Sequence, residues 1–68
     1  MSPVQFGQHL STLRKSVGLT RRDLARRARV SRRTLEGWEL GRNGPCLLVS
    51  ARLAEVLGIS LDRLAGRT

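Results

Sequence analysis

Arginine is the residue type whose number and spacing in this chain could do chemistry. The stretch from Arg21 to Arg33 holds seven of the 13 Lys+Arg residues and a single acid, Asp23. A guanidinium group binds phosphate through two parallel hydrogen bonds, and it can contact the edge of a guanine base in the same way. The stretch therefore predicts the binding of a polyanion, with nucleic acid as the first candidate.

Two short helices joined by a tight turn would have to position these arginines. Thr20 followed by Asp23 is typical of a helix start, and Ser31 is typical of the start of a second helix after a turn at Arg29-Val30. Leu24, Ala25 and Ala28 would form a narrow apolar face on the first helix. On the second helix Leu35 and Trp38 would face inward, and Arg32, Arg33, Glu36 and Gly37 would face outward. This arrangement predicts a helix-turn-helix that binds DNA, with the motif at about residues 20–40.

The outward face of the second helix allows two interpretations. Arg32 and Arg33 lie near its start, from where arginine can contact guanine in the major groove, and this position favours base reading over phosphate contact. Contact with phosphates alone is the alternative. For Glu36, which could accept a hydrogen bond from a cytosine amino group, both interpretations stay open.

Composition agrees with a polyanionic partner. The 68 residues allow one domain, 1–68, and carry a net charge of +8 from 13 bases and five acids. A charge that served only solubility would usually mix both signs, so the excess of bases favours a binding role. An anionic membrane is the second candidate partner after nucleic acid. The chain has one Phe, one Trp and no Tyr. Stacking platforms for single-stranded nucleic acid need several exposed aromatic residues, so this composition argues against that class.

The flanking segments predict further helices. The first would begin at Ser2-Pro3 and end at Gly18, with a stripe of Phe6, Leu10, Leu13 and Val17, a close packing contact at Gly7, and His9 in solvent. A helix from about Pro45 to Leu57 has more apolar residues than one stripe can hold, so part of it should be exposed. Ser60 would cap a last turn, 61–65, whose Leu61 and Leu64 close the core, before a frayed tail at 66–68.

Other function classes find little support. His9 has no nucleophile at motif spacing, no glycine-rich phosphate loop exists and the acids form no recognisable catalytic pair, so we expect no enzyme activity. Cys46 and His9 are the only residues of their types and lie far apart, which predicts no metal site and no cofactor. Without an apolar run of membrane-spanning length or a signal-peptide pattern, we expect a cytoplasmic protein associated with the nucleoid.

Three segments read LRKSVGLTRRDLA from Leu13 to Ala25, VSRRTLEGWELGRNGP from Val30 to Pro45, and LAEVLGISLDRL from Leu53 to Leu64. Together they resemble the Cro/repressor-type (XRE-like) helix-turn-helix family, the group of phage lambda repressor and Cro-like regulators. The Trp38-Glu39 pair followed by Gly41 lies in the family's order and spacing relative to the other two segments. The resemblance covers about residues 4–66.

The resemblance implies an all-α fold, a compact five-helix bundle of the lambda-repressor-like DNA-binding type with a central helix-turn-helix. Its members commonly bind palindromic operators in double-stranded DNA as dimers, which implies a homodimer here. Carried over by position, the base-reading residues would be Ser31, Arg32, Arg33, Glu36 and Gly37. Thr20, Arg21 and Arg42 would contact phosphates, and we expect Arg22 to join them. Arg14 and Glu39 match a family ion pair between the first and third helices.

Four positions depart from the family pattern. Arg29 replaces a usual glycine in a turn that tends to need positive φ, so either strain is tolerated or the turn differs. Arg21 replaces a frequent glutamine, Gly37 replaces a longer side chain, and Ser50 replaces a common leucine, which leaves the register of the fourth helix open.

Two functions stay in competition. The first is a sequence-specific regulator of transcription, with repression of a promoter the simplest mode for so small a protein. The second is an antitoxin or anti-regulator whose main partner is a protein, with DNA binding as autoregulation. The surplus apolar surface of the fourth helix motivates the second function, and burial of Leu48 and Val49 in a stable homodimer would remove that motivation.

Overall fold

Serine and threonine residues start most of the helices in this protein. The computed structural model describes residues 1–66, which form five helices and no strand: α1 Pro3–Ser16, α2 Arg21–Ala28, α3 Arg32–Glu39, α4 Leu47–Leu57 and α5 Leu61–Leu64. The side chains of Ser2, Thr20, Ser31 and Ser60 each accept a hydrogen bond from a backbone N–H in the first turn of the following helix. The all-α five-helix class expected from the sequence is confirmed.

Aliphatic side chains from every helix make the core. Leu10, Leu24, Leu35, Leu53 and Leu64, one from each helix, are the largest fully buried side chains. Helix α1 packs on α3, α2 packs on both α3 and α4, and α4 packs on α5. Trp38 is also buried, so the single Trp of the chain anchors α3 rather than lining a binding surface. This core holds the outer faces of α2 and α3 in a defined orientation.

Tertiary packing corrects several expectations about α4 and the end of the chain. Helix α4 begins at Leu47 after an N-cap at Cys46, two residues later than Pro45. Leu64 is buried as predicted, but Leu61 is 41% exposed and does not close the core. The expected fraying at 66–68 falls largely on Arg67 and Thr68, which lie outside the described residues.

Helix α1 also departs from its predicted stripe. Val17 follows the helix as its C-cap and is 48% exposed, because the chain turns away at that point. His9 is half-buried, and its Nε2 lies 2.7 Å from the carbonyl oxygen of Arg63. The expectation that His9 is merely solvated is therefore wrong, since it links α1 to the end of α5.

The register of α4 leaves two leucines in solvent. Leu53, Ala54 and Leu57 are buried, whereas Leu47 and Leu48 are 76% and 69% exposed. The prediction that α4 has more apolar residues than the core can cover is confirmed.

Candidate nucleic-acid interface

The turn between α2 and α3 fixes the angle between these two helices. Its central residue, Arg29, has φ 62° and ψ 41°, the left-handed conformation in which glycine is favoured. The backbone N–H of Val30 donates to the carbonyl of Ala25 over 3.0 Å, which closes the end of α2. The turn keeps the geometry that normally needs glycine, so the strain is tolerated rather than relieved by a different turn.

The first turn of α3 presents arginine to solvent. Ser31 Oγ accepts from the Thr34 backbone N–H at 3.0 Å and donates to Thr34 Oγ1 at 2.8 Å, which fixes where the helix begins. Arg32 and Arg33 follow at once and are both exposed, while the opposite side of the helix is held in the core by Leu35. An exposed basic first turn on a well-anchored helix can enter a groove of the double helix.

The second turn of α3 is less open. Glu36 is half-buried, and Gly37 is buried. A Cβ on Gly37 would lie 3.7 Å from Asn43 Oδ1 of the following loop. The expectation that Gly37 faces outward is therefore wrong, because Gly37 is buried in the folded chain.

A cleft joins α3 to the start of α2. It has a volume of about 610 Å³ and is open to solvent. Thr20, Arg21 and Arg22 line it from α2, and Arg32 and Glu36 line it from α3. Three of the four expected phosphate contacts and two of the expected base contacts therefore share one surface.

Arg42 lies elsewhere. It is exposed beyond the C-terminal end of α3, where its backbone N–H donates to the carbonyl of Gly37 over 3.0 Å. Arg42 does not line the cleft. The expected phosphate contacts therefore fall into two groups, one near each end of the motif.

The start of α2 combines a capping box with positive charge. Thr20 Oγ1 accepts from the Asp23 N–H at 3.1 Å, and the Thr20 N–H donates to Asp23 Oδ2 at 3.3 Å. Hydrogen bonding of the Asp23 carboxylate to Thr20, first to its side chain and then to its backbone N–H, lowers the pKa of Asp23, so the carboxylate stays charged. The remaining amides of this first turn are free for an external anion, as at helix N-termini generally.

A buried carboxylate lies behind the cleft. Arg14 binds Glu39 through Nε to Oε2 at 2.8 Å and through Nη2 to Oε1 at 3.2 Å, and its Nη1 donates to the Leu19 carbonyl at 2.9 Å. The structure thus brings together the two residues expected to pair, and ties α1 to α3 and to the entry of α2. The Glu39 side chain is 1% exposed.

Arg21 is a third member of this cluster, which the sequence did not reveal. Its Nε donates to Glu39 Oε1 at 2.9 Å, and its side chain is 41% exposed. This hydrogen bond raises the pKa of Arg21, although partial burial opposes the rise. Burial acts to raise the pKa of Glu39, but the hydrogen bonds from Arg14 and Arg21 outweigh it and hold that pKa below its usual value. No local pattern in the sequence signals a contact between residues 18 positions apart.

Residues 1–66 show no feature that would support metal binding or membrane insertion. No three His, Cys, Asp or Glu residues of this range are grouped so that they could hold a metal ion. No helix in it has the length and apolar character needed to cross a bilayer.

The fold and the arginine-lined surface define a helix-turn-helix protein, and comparison with known families agrees. The family described as Helix-turn-helix matches residues 10–64, so the chain belongs to that family. The resemblance to its Cro/repressor-type (XRE-like) members is confirmed by the same match.

Three relatives show how far the likeness extends. An uncharacterized HTH-type transcriptional regulator of Methanothermobacter thermautotrophicus is 44% identical over 45 residues, which span 66% of this chain and 65% of that protein. The match thus covers just under two thirds of this relative's length. The structure of the restriction-modification controller protein C.AhdI from Aeromonas hydrophila has a TM-score of 0.87 and 34% identity, over 91% of this chain and 94% of that one. The clp gene regulator ClgR from Corynebacterium glutamicum has a TM-score of 0.88 and 29% identity, over 96% of this chain and 69% of that one.

Proposed function

We propose that this protein is a DNA-binding regulator of transcription that reads double-stranded DNA with α3. One observation carries the proposal: the exposed pair Arg32 and Arg33 opens α3, and Arg32 lines the same cleft as Arg21 and Arg22 of α2. Base-reading and phosphate-binding groups are then held by one rigid core, as specific recognition requires. The family match and the regulators among the relatives support the same function.

Sequence reading is assigned to the first turns of α3. Arg32 and Arg33 would each contact a guanine edge in the major groove, Ser31 would bind a base or sugar edge beside them, and Glu36 would accept from a cytosine amino group. Glu36 is half-buried and near Arg21, so its reach into the groove is shorter than that of the arginines. We assign no base to Gly37, because it is buried and carries no side chain.

Phosphate contacts would fix the orientation of α3 in the groove. Thr20, Arg21 and Arg22 would bind the backbone on one side of the groove, and Arg42 would bind it beyond the other end of the helix. With a net charge of +8, the protein should bind DNA with an affinity that falls steeply as salt rises.

We further propose that the protein acts as a homodimer on a palindromic operator. Two copies would place their α3 helices about one helical turn of DNA apart. The exposed leucines Leu47 and Leu48 of α4 are the candidate contact between the copies. Occupying a promoter would make it a repressor, acting in the cytoplasm at the nucleoid. The proposal needs no cofactor and assigns no catalytic activity.

Binding selection from a random duplex pool at roughly physiological salt tests this function, because low salt inflates nonspecific affinity. We expect an enriched palindrome whose half-site spacing reports the dimer geometry. Binding that disappears as salt rises, with no enriched motif, would contradict sequence-specific recognition.

A second candidate function rests on the same two exposed leucines. An antitoxin or anti-regulator would use Leu47 and Leu48 to bind a different protein, with DNA binding reserved for autoregulation. Analytical ultracentrifugation of the purified chain separates the two. A stable homodimer that loses its association when Leu48 is replaced assigns the leucines to self-association, whereas a monomer at all concentrations favours a foreign partner.

A further inference from the structure

We infer that Glu39 positions Arg21 as a preformed fork for one DNA phosphate. The buried carboxylate holds the Nε of Arg21 and leaves its two Nη groups for the phosphate oxygens. The inference rests on the proposed DNA binding and adds to it a role for a residue that does not itself face DNA.

The anchor in this arrangement is the Glu39 carboxylate. Its side chain is 1% exposed and receives two hydrogen bonds from Arg14, at 2.8 and 3.2 Å, so it cannot follow a mobile partner into solvent. Arg14 is in turn bound to the Leu19 carbonyl at 2.9 Å. The 2.9 Å bond from Arg21 Nε to Glu39 Oε1 therefore ties Arg21 to the core of the protein.

Arg21 lines the cleft and keeps part of its guanidinium unbonded. A guanidinium has five N–H donors, and only the Nε donor is used in the bond to Glu39. No hydrogen bond within residues 1–66 occupies the Nη groups, and 41% of the side chain is exposed. The cleft is shared with Arg22 and Arg32, whose charges also attract a phosphate, while Glu36 on the α3 side opposes it.

Arginine is suited to this double role and lysine is not. The planar guanidinium can bind a carboxylate at Nε and a phosphate at its two Nη groups, and the first contact removes rotamer freedom that the second would otherwise have to restrict. A lysine ammonium is a single point charge. At this position it would either pair with Glu39 or reach the phosphate.

The competing interpretation is that Arg21 only completes a structural ion cluster. Arg21 would then contribute to the stability of the fold, and its positive charge would attract DNA without forming a directed pair of hydrogen bonds to a phosphate. An exchange of arginine for lysine separates the two, because it keeps the charge and removes the fork.

The experiment compares Arg21→Lys and Arg21→Gln with the wild-type chain. Affinity for a fluorescein-labelled duplex of mixed sequence is measured by anisotropy between about 50 and 200 mM salt. Arg27→Lys is the matched control, the same exchange at an exposed position of α2 that does not line the cleft. Circular dichroism confirms that every variant is folded at the temperature used.

We expect both Arg21 variants to lose about tenfold in affinity, the loss of one hydrogen bond to a charged group. Only Arg21→Gln, which also removes the charge, should lower the salt dependence by about one phosphate contact. Arg27→Lys should stay within about twofold of wild type. If Arg21→Lys binds with wild-type affinity and salt dependence, the positioning role is wrong and the proposed function stands. If the wild-type chain does not bind the duplex even at low salt, the proposed function fails and the inference fails with it.

A double-mutant cycle tests whether Glu39 acts through Arg21. Glu39→Gln should weaken DNA binding in the wild-type background and have little further effect in the Arg21→Gln background. Equal effects in both backgrounds would show that Glu39 influences DNA binding without Arg21. If Glu39→Gln does not fold, the lysine exchange at position 21 still decides the question.

Discussion

Gly7 of α1 lies directly against the backbone carbonyl of Trp38 in α3. A Cβ built on Gly7 would come within 2.5 Å of that oxygen and 2.6 Å of the carbonyl oxygen of Glu39. The two helix backbones therefore approach as closely as a missing side chain allows. The same pair of helices carries the Arg14–Glu39 ion pair, with Arg14 on α1 and Glu39 on α3.

Replacing Gly7 by alanine should destabilise the protein. Alanine is the better helix former by about 1 kcal/mol, but the new methyl group would meet rigid backbone, and overpacking of this kind costs about 1–3 kcal/mol. We expect a net loss of stability in urea unfolding. Gly44→Ala is the control, because a Cβ there meets no atom within 4 Å. A Gly7→Ala variant more stable than wild type would mean that α1 can move away from α3.

Arg29→Gly should raise stability by about 1 kcal/mol, because a left-handed non-glycine residue costs about 1–2 kcal/mol and the greater freedom of glycine in the unfolded chain returns part of that. Thermal unfolding followed by circular dichroism measures the change. Arg27→Gly, on the exposed face of α2, removes the same charge without relieving strain and should lower stability by about 1 kcal/mol. An unchanged melting temperature for Arg29→Gly would show that the turn rearranges in solution.

Stability should fall as the protein is acidified through the titration of Glu39. Its pKa is held below the usual value in the folded state, so below about pH 4.5 the unfolded chain takes up a proton more readily than the folded one. This contribution is complete above that pH and is lost as the pH falls through the folded-state pKa. A carbon-detected NMR titration of the Glu39 carboxyl should give a midpoint below the usual glutamate value, and a midpoint at or above it would refute the prediction.

A urea-unfolding series against pH provides the matched control for that titration. Glu55→Gln removes an exposed carboxylate that has no ion pair within residues 1–66, so its acid limb should follow wild type. Glu39→Gln, where it folds, should be destabilised near neutral pH and show a flatter acid limb.

Arg33→Ala should reduce specific DNA binding by about 1–3 kcal/mol and relax the preference at one base position. The measurement is affinity for the selected operator and for single-base variants of it. Arg22→Ala serves as the comparison, because loss of a phosphate contact should weaken binding about equally on every sequence. If Arg33→Ala behaves in the same way as Arg22→Ala, then Arg33 contacts phosphate rather than a base.

Leu48→Ser should shift the proposed homodimer towards monomer without lowering the stability of the monomer. Leu48 is 69% exposed, so its replacement removes little buried surface within one chain. Sedimentation equilibrium measures the association, with Val17→Ser as a control at an exposed apolar residue that caps the C-terminal end of α1. A dimer that survives Leu48→Ser places the interface away from α4.

The helices, their starts and the arginine-rich motif could be predicted from the sequence because they depend on neighbours a few residues apart. Ser2, Thr20 and Ser31 cap their helices through side chains that reach only three residues along the chain. The family resemblance marked Arg29 as a position where glycine is usual and left open whether the turn differs, and the structure shows that the positive φ is kept. Family resemblance supplied the pairing of Arg14 with Glu39.

Only the tertiary structure decided which of these residues share a surface and which are covered. The family resemblance implied that Arg21 contacts a phosphate, and the fold also places Arg21 against the Glu39 carboxylate, 18 residues away. Gly37 followed the outward face by helical periodicity, yet it is buried in the folded protein. Leu61 followed the apolar pattern, yet as the first residue of α5 it stays 41% exposed while Leu64 is buried in the core. Periodicity along one helix shows which residues share a face, but it carries no information about which distant parts of the chain pack against that face.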